Sequence, residues 1–202
     1  IEIKPDYAEA HLNMGSILKD IGKLEEAETS YRKAIKIKPD YAEAHYNLGN
    51  ILRDLGKLKE AEISTRKAID LNPGFAMAHS NLGNILRDLG KLQEAEISMR
   101  KAIEINPNFA NAYLNLGSIL SDLNKVKEAF DYYVKVTEFD PSLPNLYQTI
   151  TRFLSYSDIS ELDKSKLKDT LNLLLEKNNI PHKQLFKAFN FLYRNEIINN
   201  LN

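Results

Sequence analysis

The chain has 202 residues, of which 43% are hydrophobic and 27% charged, an ordinary globular composition. Its 27 basic and 28 acidic side chains nearly cancel, so no overall field favours nucleic acid or an anionic membrane surface as a partner. Cysteine is absent, which excludes disulfides, thiolate nucleophiles and cysteine-based zinc sites and predicts a cytoplasmic location. No apolar stretch reaches the roughly 18 residues of a membrane-spanning helix.

The sequence repeats itself at an offset of 34 residues. The four units are residues 8–41, 42–75, 76–109 and 110–143, and the second and third agree at 27 of 34 positions. Residues 1–7 match the end of such a unit, so we expect them to be the tail of a preceding repeat in a longer array. A fixed period of this length is typical of stacked helical units.

Each unit begins with an amphipathic helix, here called helix A. In the second unit helix A is predicted from Ala42 to about Leu55, because Asp40 and Glu43 have the spacing of a capping box. Asp6 and Glu9 repeat that spacing in the first unit. Gly56 follows the helix where a left-handed residue is expected, and the equivalent positions hold Gly22, Gly90 and Asn124.

A second helix, here called helix B, completes each unit. It is predicted from Leu58 to Leu71 in the second unit, until Pro73 ends it. Small residues recur where the two helices must approach closely. They are Gly15, Gly49, Gly83 and Gly117 in helix A, and Ala27, Ala61, Ala95 and Ala129 in helix B.

The spacing of these residues resembles the tetratricopeptide-repeat (TPR) pattern. The second unit carries it as His45-x-x-Leu48-Gly49-x-x-Leu52, followed by Ala61, Ala68 and Pro73. Histidine and leucine stand where the family usually has aromatic residues. The resemblance covers residues 8–143 and implies an all-α fold, a right-handed α-solenoid of stacked helix-turn-helix units.

Beyond Leu143 the repeat pattern decays. Residues 144–156 still read as a helix A, although Thr151 replaces the packing glycine. Further helices are predicted from Glu161 to about Lys177, with Ser160 and Asp163 at its start, and from Pro181 to about Asn199. We expect residues 144–202 to be divergent C-terminal helices that cap the solenoid, with a linker towards a further domain as the alternative.

Polar side chains recur on the face of helix A that does not pack, which stacking is expected to place on a concave wall. The candidate peptide-binding residues on this face of helix A are Asn13, Asn47, Asn50, Asn81, Asn84, Asn115, Arg53, Arg87, Asp54 and Asp88. The members Asn13, Asn47, Asn81 and Asn115, here called the asparagine row, occupy one position in all four units. Asparagine is a poor helix former, so its recurrence needs a reason.

The asparagine row resembles the asparagine ladder in the TPR arm of O-linked N-acetylglucosamine transferase. That resemblance implies that its amides hold the backbone of an extended peptide. An amide offers two donors and an acceptor, which suits any peptide sequence. The alternative is that these amides bond a neighbouring helix and fix the geometry of the repeats.

Aspartates recur in the last turn of helix A, where the helix dipole disfavours an anion. Two explanations remain open. The lysines three residues later, such as Lys57 after Asp54 and Lys91 after Asp88, could neutralise them. Alternatively, the aspartates could accept hydrogen bonds from a ligand.

No catalytic, cofactor-binding or metal-binding motif is found in the sequence. There is no P-loop, no dinucleotide-binding glycine pattern, no nucleophile elbow and no His-Glu-x-x-His. His11, His45 and His79 occur once per unit, on helices expected to lie about 10 Å apart, so we assign them to packing. In chaperone-adaptor TPR domains, basic residues early in helix A form a carboxylate clamp that holds the C-terminus of a peptide. This chain has none of them, because those positions hold Glu9, Glu43, Met77 and Asn111.

The sequence thus predicts a non-catalytic scaffold that binds a protein or an extended peptide. Two alternatives remain: a substrate-recruiting arm of a larger enzyme such as a glycosyltransferase, and self-association through exposed repeat ends. No cofactor, metal, nucleic acid or membrane partner is expected.

Overall fold

The computed structural model describes residues 7–177 and 180–200, without the side chains of residues 182 and 195–200. The chain divides into two compact units, residues 1–108 and 109–202. Only helices and turns occur in the described ranges, which confirms the all-α prediction. No helix among these residues is long and apolar enough to cross a membrane.

The first unit contains three helix pairs. Each A helix packs on its own B helix, and the first two B helices each pack on the A helix that follows them. The A helices are α1 (Ala8–Asp20), α3 (Ala42–Asp54) and α5 (Ala76–Asp88), and the B helices are α2 (Leu24–Ile37), α4 (Leu58–Leu71) and α6 (Leu92–Ile105). Successive A helices approach each other more closely than successive B helices do, so the A-helix face is the inner side of this stack.

The helix ends follow the predicted glycine and proline signals. Helix α4 runs from Leu58 to Leu71, as predicted, and Gly22, Gly56, Gly90 and Asn124 all have a positive φ after their A helices. The capping box in the second unit is wrong. Tyr41, and not Asp40, is the N-cap of α3, and it makes no side-chain cap. The Tyr41 N–H donates to Lys38 O, so a turn of residues 38–41 places the helix start after Asp40. Asp6, its counterpart in the first unit, lies outside the described residues.

Close approach of helices A and B explains the recurrent glycines. A Cβ atom on Gly15 would lie 2.5 Å from the Tyr31 ring, and one on Gly83 would lie 2.8 Å from Met99 Cε. The alanines opposite them, among them Ala27, Ala61 and Ala95, are completely buried. The predicted packing role of the small residues is therefore confirmed.

The first helix exposes apolar side chains that its counterparts bury. Met14 is 50% exposed and Ile17 57%, whereas the equivalent Leu48 and Ile51 of α3 are 3% and 0% exposed. In α3 those positions pack against α2, the preceding B helix.

The second unit contains one helix pair and the C-terminal helices. Its elements are α7 (Ala110–Asp122), α8 (Val126–Phe139), α9 (Leu146–Tyr156), α10 (Lys164–Leu175), a 3-10 turn (His182–Leu185) and α11 (Phe186–Asn200). Helix α9 packs on α8, where the Phe153 ring stacks on Phe130 and meets Tyr133 edge-on at 5.1 Å. This contact covers the last repeat with aromatic side chains.

Two predicted starts in this region need correction. Helix α10 begins at Lys164, three residues later than predicted, because the Asp163 carboxylate caps it by accepting from the Lys166 N–H at 2.8 Å. The last helix opens with a 3-10 turn after Pro181 before α11 begins.

Candidate functional site

The asparagine row follows the inner face of the first unit across α1, α3 and α5. Burial of its members increases along the chain: Asn13 is exposed, Asn47 is half-buried and Asn81 is only 7% exposed. Helices α3 and α5 each pack on the preceding helix B, and the Asn81 amide also contacts Thr65 on α4. The three positions are thus equivalent in sequence but different in their access to a ligand.

Asn81 makes a hydrogen bond to a neighbouring helix. Its Nδ2 donates to Thr65 Oγ1 at 3.3 Å, and Thr65 is completely buried on α4. The Thr65 side chain also faces Gly49 on α3, so three helices meet at this point. Asn81 therefore makes the hydrogen bond to a neighbouring helix that is expected if the row fixes the geometry of the repeats.

The other amides on this face have no such bond. Asn47, Asn50 and Asn84 are half-buried, and none of their side-chain amides hydrogen-bonds another residue in the described part of the chain. Ser16, which occupies the Asn50 position in the first repeat, instead lies 3.3 Å from the Tyr31 hydroxyl. The second and third repeats therefore each present at least one half-buried amide with unused donors and acceptors.

Charged residues form the border of the same face. Arg53 Nε donates to Asp88 Oδ2 at 2.6 Å, and the two side chains are 35% and 37% exposed. This pair joins the end of α3 to the end of α5. Asp54 is exposed and Arg87 is half-buried.

The predicted pairing of the aspartates with lysines three residues later is wrong for Lys57 and Lys91. Lys57 Nζ donates to Glu28 at 2.7 Å, and Lys91 Nζ donates to Glu62 at 2.9 Å. These lysines lie in the turn between helices A and B and reach back to the preceding B helix. The partner of Asp88 is Arg53 instead.

Sequence reasoning missed an ion-pair network that links successive B helices. Arg32 contacts Glu28 on its own helix and Glu60 of the next one at 2.6 Å, and Lys57 completes the set at Glu28. The same contacts recur one repeat later between Arg66, Glu62, Glu94 and Lys91. The recurrence of Glu28 and Arg32 at 34 residues, as Glu62 and Arg66, was the available signal.

The network changes the acidity of its two inner carboxylates. The Lys57 ammonium, hydrogen-bonded to Glu28, lowers the pKa of that carboxyl, and Arg32 adds to the effect against the influence of partial burial. Partial burial opposes ionisation of Glu62, but hydrogen bonds from Lys91 and Arg66 outweigh it and lower its pKa as well. Both carboxylates are therefore ionised at neutral pH and connect two repeats.

Two of the histidines hold the start of their own helix. His45 Nε2 lies 2.9 Å from the Pro39 carbonyl oxygen, and His79 Nε2 lies 3.0 Å from that of Pro73. These contacts support the packing role assigned to them. No group of three or more His, Cys, Asp or Glu side chains that could hold a metal ion occurs among the described residues.

In the second unit, the face of α7 carries the last member of the row. Asn115 is half-buried, and the neighbouring Ser118 is 9% exposed and accepts a hydrogen bond from the Tyr133 hydroxyl at 3.3 Å. Ser118 and Tyr133 thus repeat the arrangement of Ser16 and Tyr31 in the first repeat.

Comparison with family models identifies the repeat. The model described as TPR repeat matches residues 15–56 and 83–124, and models described as tetratricopeptide repeat match 42–75, 65–97 and 110–143. The chain belongs to the tetratricopeptide-repeat family. Together these matches extend over the TPR helices from α1 to α8. No curated protein matches the sequence.

Solved structures of TPR proteins resemble the chain closely in fold. One is the crystal structure of YrrB, "a TPR protein with an unusual peptide-binding site". The match covers 95% of this chain and 89% of the YrrB chain, at 24% identity and a TM-score of 0.65. The first TPR of Spaghetti (RPAP3), bound to the HSP90 peptide SRMEEVD, is 27% identical, with a TM-score of 0.57. That match covers 61% of this chain and 98% of the other.

A region of an enzyme is also similar. The Thermobaculum terrenum O-GlcNAc transferase mutant K341M is 26% identical over 65% of this chain, with a TM-score of 0.62. Only 26% of that enzyme's chain is covered. The TPR chain therefore resembles a part of that protein.

Proposed function

We propose that the chain is a non-catalytic, cytoplasmic interaction scaffold that binds an extended peptide segment along its A-helix face. The observation that carries this proposal is the set of half-buried amides Asn47, Asn50 and Asn84, which have no hydrogen-bond partner in the described part of the chain. Half-buried amides lose contact with water, so a ligand that bonds them recovers that loss. The peptide-bound RPAP3 repeat, whose fold is similar, supports the proposal.

The spacing of the helices defines the ligand. Packed A helices lie about 8–10 Å apart, and an extended chain advances about 3.3 Å per residue. About three peptide residues therefore separate one repeat from the next. Amides that bond the peptide backbone select an extended conformation rather than a particular sequence.

The site residues divide by role under this proposal. Asn47, Asn50 and Asn84 contact the peptide backbone, with Asn13 and Asn115 as further positions of the same row. Asn81 donates a hydrogen bond to Thr65 and stabilises the packing of α5 on α4 beneath this face. Arg53, Arg87, Asp54 and Asp88 border the peptide and favour polar side chains next to it.

A peptide-display selection against the full chain provides the ligand for the test. The affinity of a selected peptide is then measured for the Asn47→Ala/Asn50→Ala variant. We expect at least about a tenfold loss, since each lost hydrogen bond is worth about 0.5–1.5 kcal/mol. Gln93→Ala, which removes an exposed amide from helix B, is the control and leaves the affinity unchanged. Equal affinities for both variants at unchanged thermal stability would refute the assignment of this face.

A second candidate is a substrate-recruiting arm of a larger enzyme. The similarity to part of an O-GlcNAc transferase favours it, as does the resemblance of the asparagine row to the ladder of that family. The complete reading frame decides between the candidates, because this one requires a catalytic domain in the same polypeptide.

Self-association is a third candidate, favoured by the exposed Met14, Ile17 and Ile21 of α1. Light scattering over a concentration series tests it. A mass that rises with concentration, and returns to that of the monomer in an Ile17→Ser variant, supports self-association, and a constant monomer mass excludes it.

A further inference from the structure

A cleft of about 420 Å³ lies in the first unit, and no member of the asparagine row lines it. It runs between the B helices α2 and α4, and α3 forms its floor. The residues that matter here are Ile35, Lys36, His45, Leu48, Ile63 and Lys67. The volume is in the range of clefts that bind small ligands or the side chains of a peptide.

The cleft offers an apolar surface for one anchoring side chain. Ile63 is 70% exposed on the wall formed by α4, whereas Leu48 on the floor is 3% exposed. Ile35 is half-buried on the opposite wall. A single exposed isoleucine is common on protein surfaces, but this one borders a concave site with further aliphatic side chains.

The charge around the cleft is positive. Arg32 at its edge is already bound by Glu28 and Glu60. Lys36 and Lys67, by contrast, form no ion pair with any residue in the described ranges. Asp70 lies on the same helix as Lys67, outside ion-pair distance. Two exposed ammonium groups thus flank the apolar surface without a carboxylate partner.

The next repeat contains the same apolar positions with a different charge. Ile97 is 69% exposed at the position equivalent to Ile63, and Asp70 stands where the first cleft has Lys36. Lys101, the counterpart of Lys67, is paired with Glu104 at 2.6 Å. The chain therefore provides its own control, with equal apolar exposure but without unpaired positive charge.

We propose that this cleft is a second docking site, which binds an acidic peptide segment of a partner protein. An aliphatic side chain of the segment packs against Ile35, Leu48 and Ile63, and carboxylates beside it bind Lys36 and Lys67. The amide-lined A-helix face, whose Arg53 and Asp88 neutralise each other, has no such preference for acidic ligands. The site is independent of the function proposed above.

The test uses the full chain and the fluorescently labelled peptide N-acetyl-Glu-Asp-Leu-Asp-Glu-amide, with binding followed by anisotropy. Lys36→Asp, which copies the residue of the next repeat, is expected to weaken binding at least about fivefold, because an attraction becomes a repulsion. Ile63→Ser is expected to weaken it about tenfold by removing apolar contact. Ile97→Ser, the matched control, changes it less than about twofold. The isoleucines are mostly exposed, so both serine variants fold.

Several outcomes would overturn the proposal. They are absence of binding at millimolar peptide, equal binding of the isosteric N-acetyl-Gln-Asn-Leu-Asn-Gln-amide, and equal losses in Ile63→Ser and Ile97→Ser. A loss in Asn47→Ala/Asn50→Ala, with Lys36→Asp unaffected, would place the acidic peptide on the A-helix face and likewise refute it. Weaker binding at higher salt is expected, because exposed ion pairs are screened.

Discussion

Substituting the packing glycines by alanine should destabilise one repeat and leave another nearly unchanged. Alanine is favoured over glycine inside a helix by about 1 kcal/mol, so the change stabilises wherever a methyl group fits. At Gly117 the new Cβ would lie 2.6 Å from Cε1 of Tyr133. At Gly83 the nearest atom is the terminal methyl of Met99, at 2.8 Å. The two neighbours differ in their freedom to move.

Tyr133 is held on several sides. It is 2% exposed, meets Phe153 edge-on and donates to Ser118. Overpacking of a rigid site costs about 1–3 kcal/mol, which exceeds the gain in helix propensity. We therefore expect Gly117→Ala to destabilise by roughly 1–2 kcal/mol. Gly83→Ala should lie within about 0.5 kcal/mol of the parent, because an unbranched methionine changes rotamer easily.

Urea denaturation followed by far-UV circular dichroism measures the free energy of unfolding of both variants. Because repeat arrays need not unfold in two states, the signal of an isotope-labelled tyrosine near the substitution serves as a second, local probe. Tyr133→Met alone recreates the glycine–methionine pair of the third repeat, and the double variant Gly117→Ala/Tyr133→Met adds the alanine to that pair. Relative to Tyr133→Met alone, the added alanine should cost at least 1 kcal/mol less than it does in the parent. If Gly117→Ala stabilised the chain, the rigidity argument would be refuted.

Three further predictions concern stability. Asn81→Ala should lower the free energy of unfolding by about 1 kcal/mol, whereas Asn47→Ala should change it little, and thermal melts of both distinguish a structural amide from an available one. Glu28 and Glu62 have folded pKa values below their ordinary value of 4.5, so their stabilisation is present above that pH and is lost as the pH falls through the folded pKa. The Glu28→Gln/Glu62→Gln variant should therefore show a weaker dependence of its melting temperature on pH below about 4.5, and an unchanged acid profile would contradict this. The Tyr147 hydroxyl is buried without a hydrogen-bond partner among the described residues, so Tyr147→Phe should be neutral or up to about 1 kcal/mol stabilising in urea titrations, and a clear loss would show that the hydroxyl is bonded.

Most of the fold could be predicted from the sequence because its signals repeat. Gly56 and Pro73 recur at 34 residues, and each marks a helix end by its own backbone preference. The capping box could not be judged in this way. Its spacing in the sequence is correct, but the turn at residues 38–41 moves the helix start beyond Asp40. Capping depends on the local turn, which the spacing of two side chains does not fix.

The ion pairs were less predictable because they join different repeats. Lys57 and Asp54 are close in sequence and suggested a pair, but the lysine reaches Glu28, which is 29 residues away. The side chain of a turn residue between two helices can point to either side of the turn. The packing of the preceding B helix determines which side it takes. The same argument applies to Arg53 and Asp88, whose contact requires α3 and α5 to lie side by side.

At the repeat position of Asn50, the residue on helix A varies together with the residue that helix B places beneath it. In the first and fourth repeats a tyrosine hydroxyl from helix B reaches a serine on helix A, so the polar groups satisfy each other. These pairs are Tyr31 with Ser16 and Tyr133 with Ser118. In the second and third repeats helix B carries Thr65 or Met99 instead, and helix A carries Asn50 or Asn84.

Neither Thr65 nor Met99 supplies a partner to Asn50 or Asn84, since the Thr65 hydroxyl accepts from Asn81 and a thioether is a weak acceptor. Asparagine at this position therefore coincides with the loss of the internal partner that serine has. A residue retained only for packing would not need a longer polar side chain where its partner is missing. At this position the second and third repeats consequently offer donors and acceptors that the protein does not use itself, and our proposal assigns them to a bound peptide backbone.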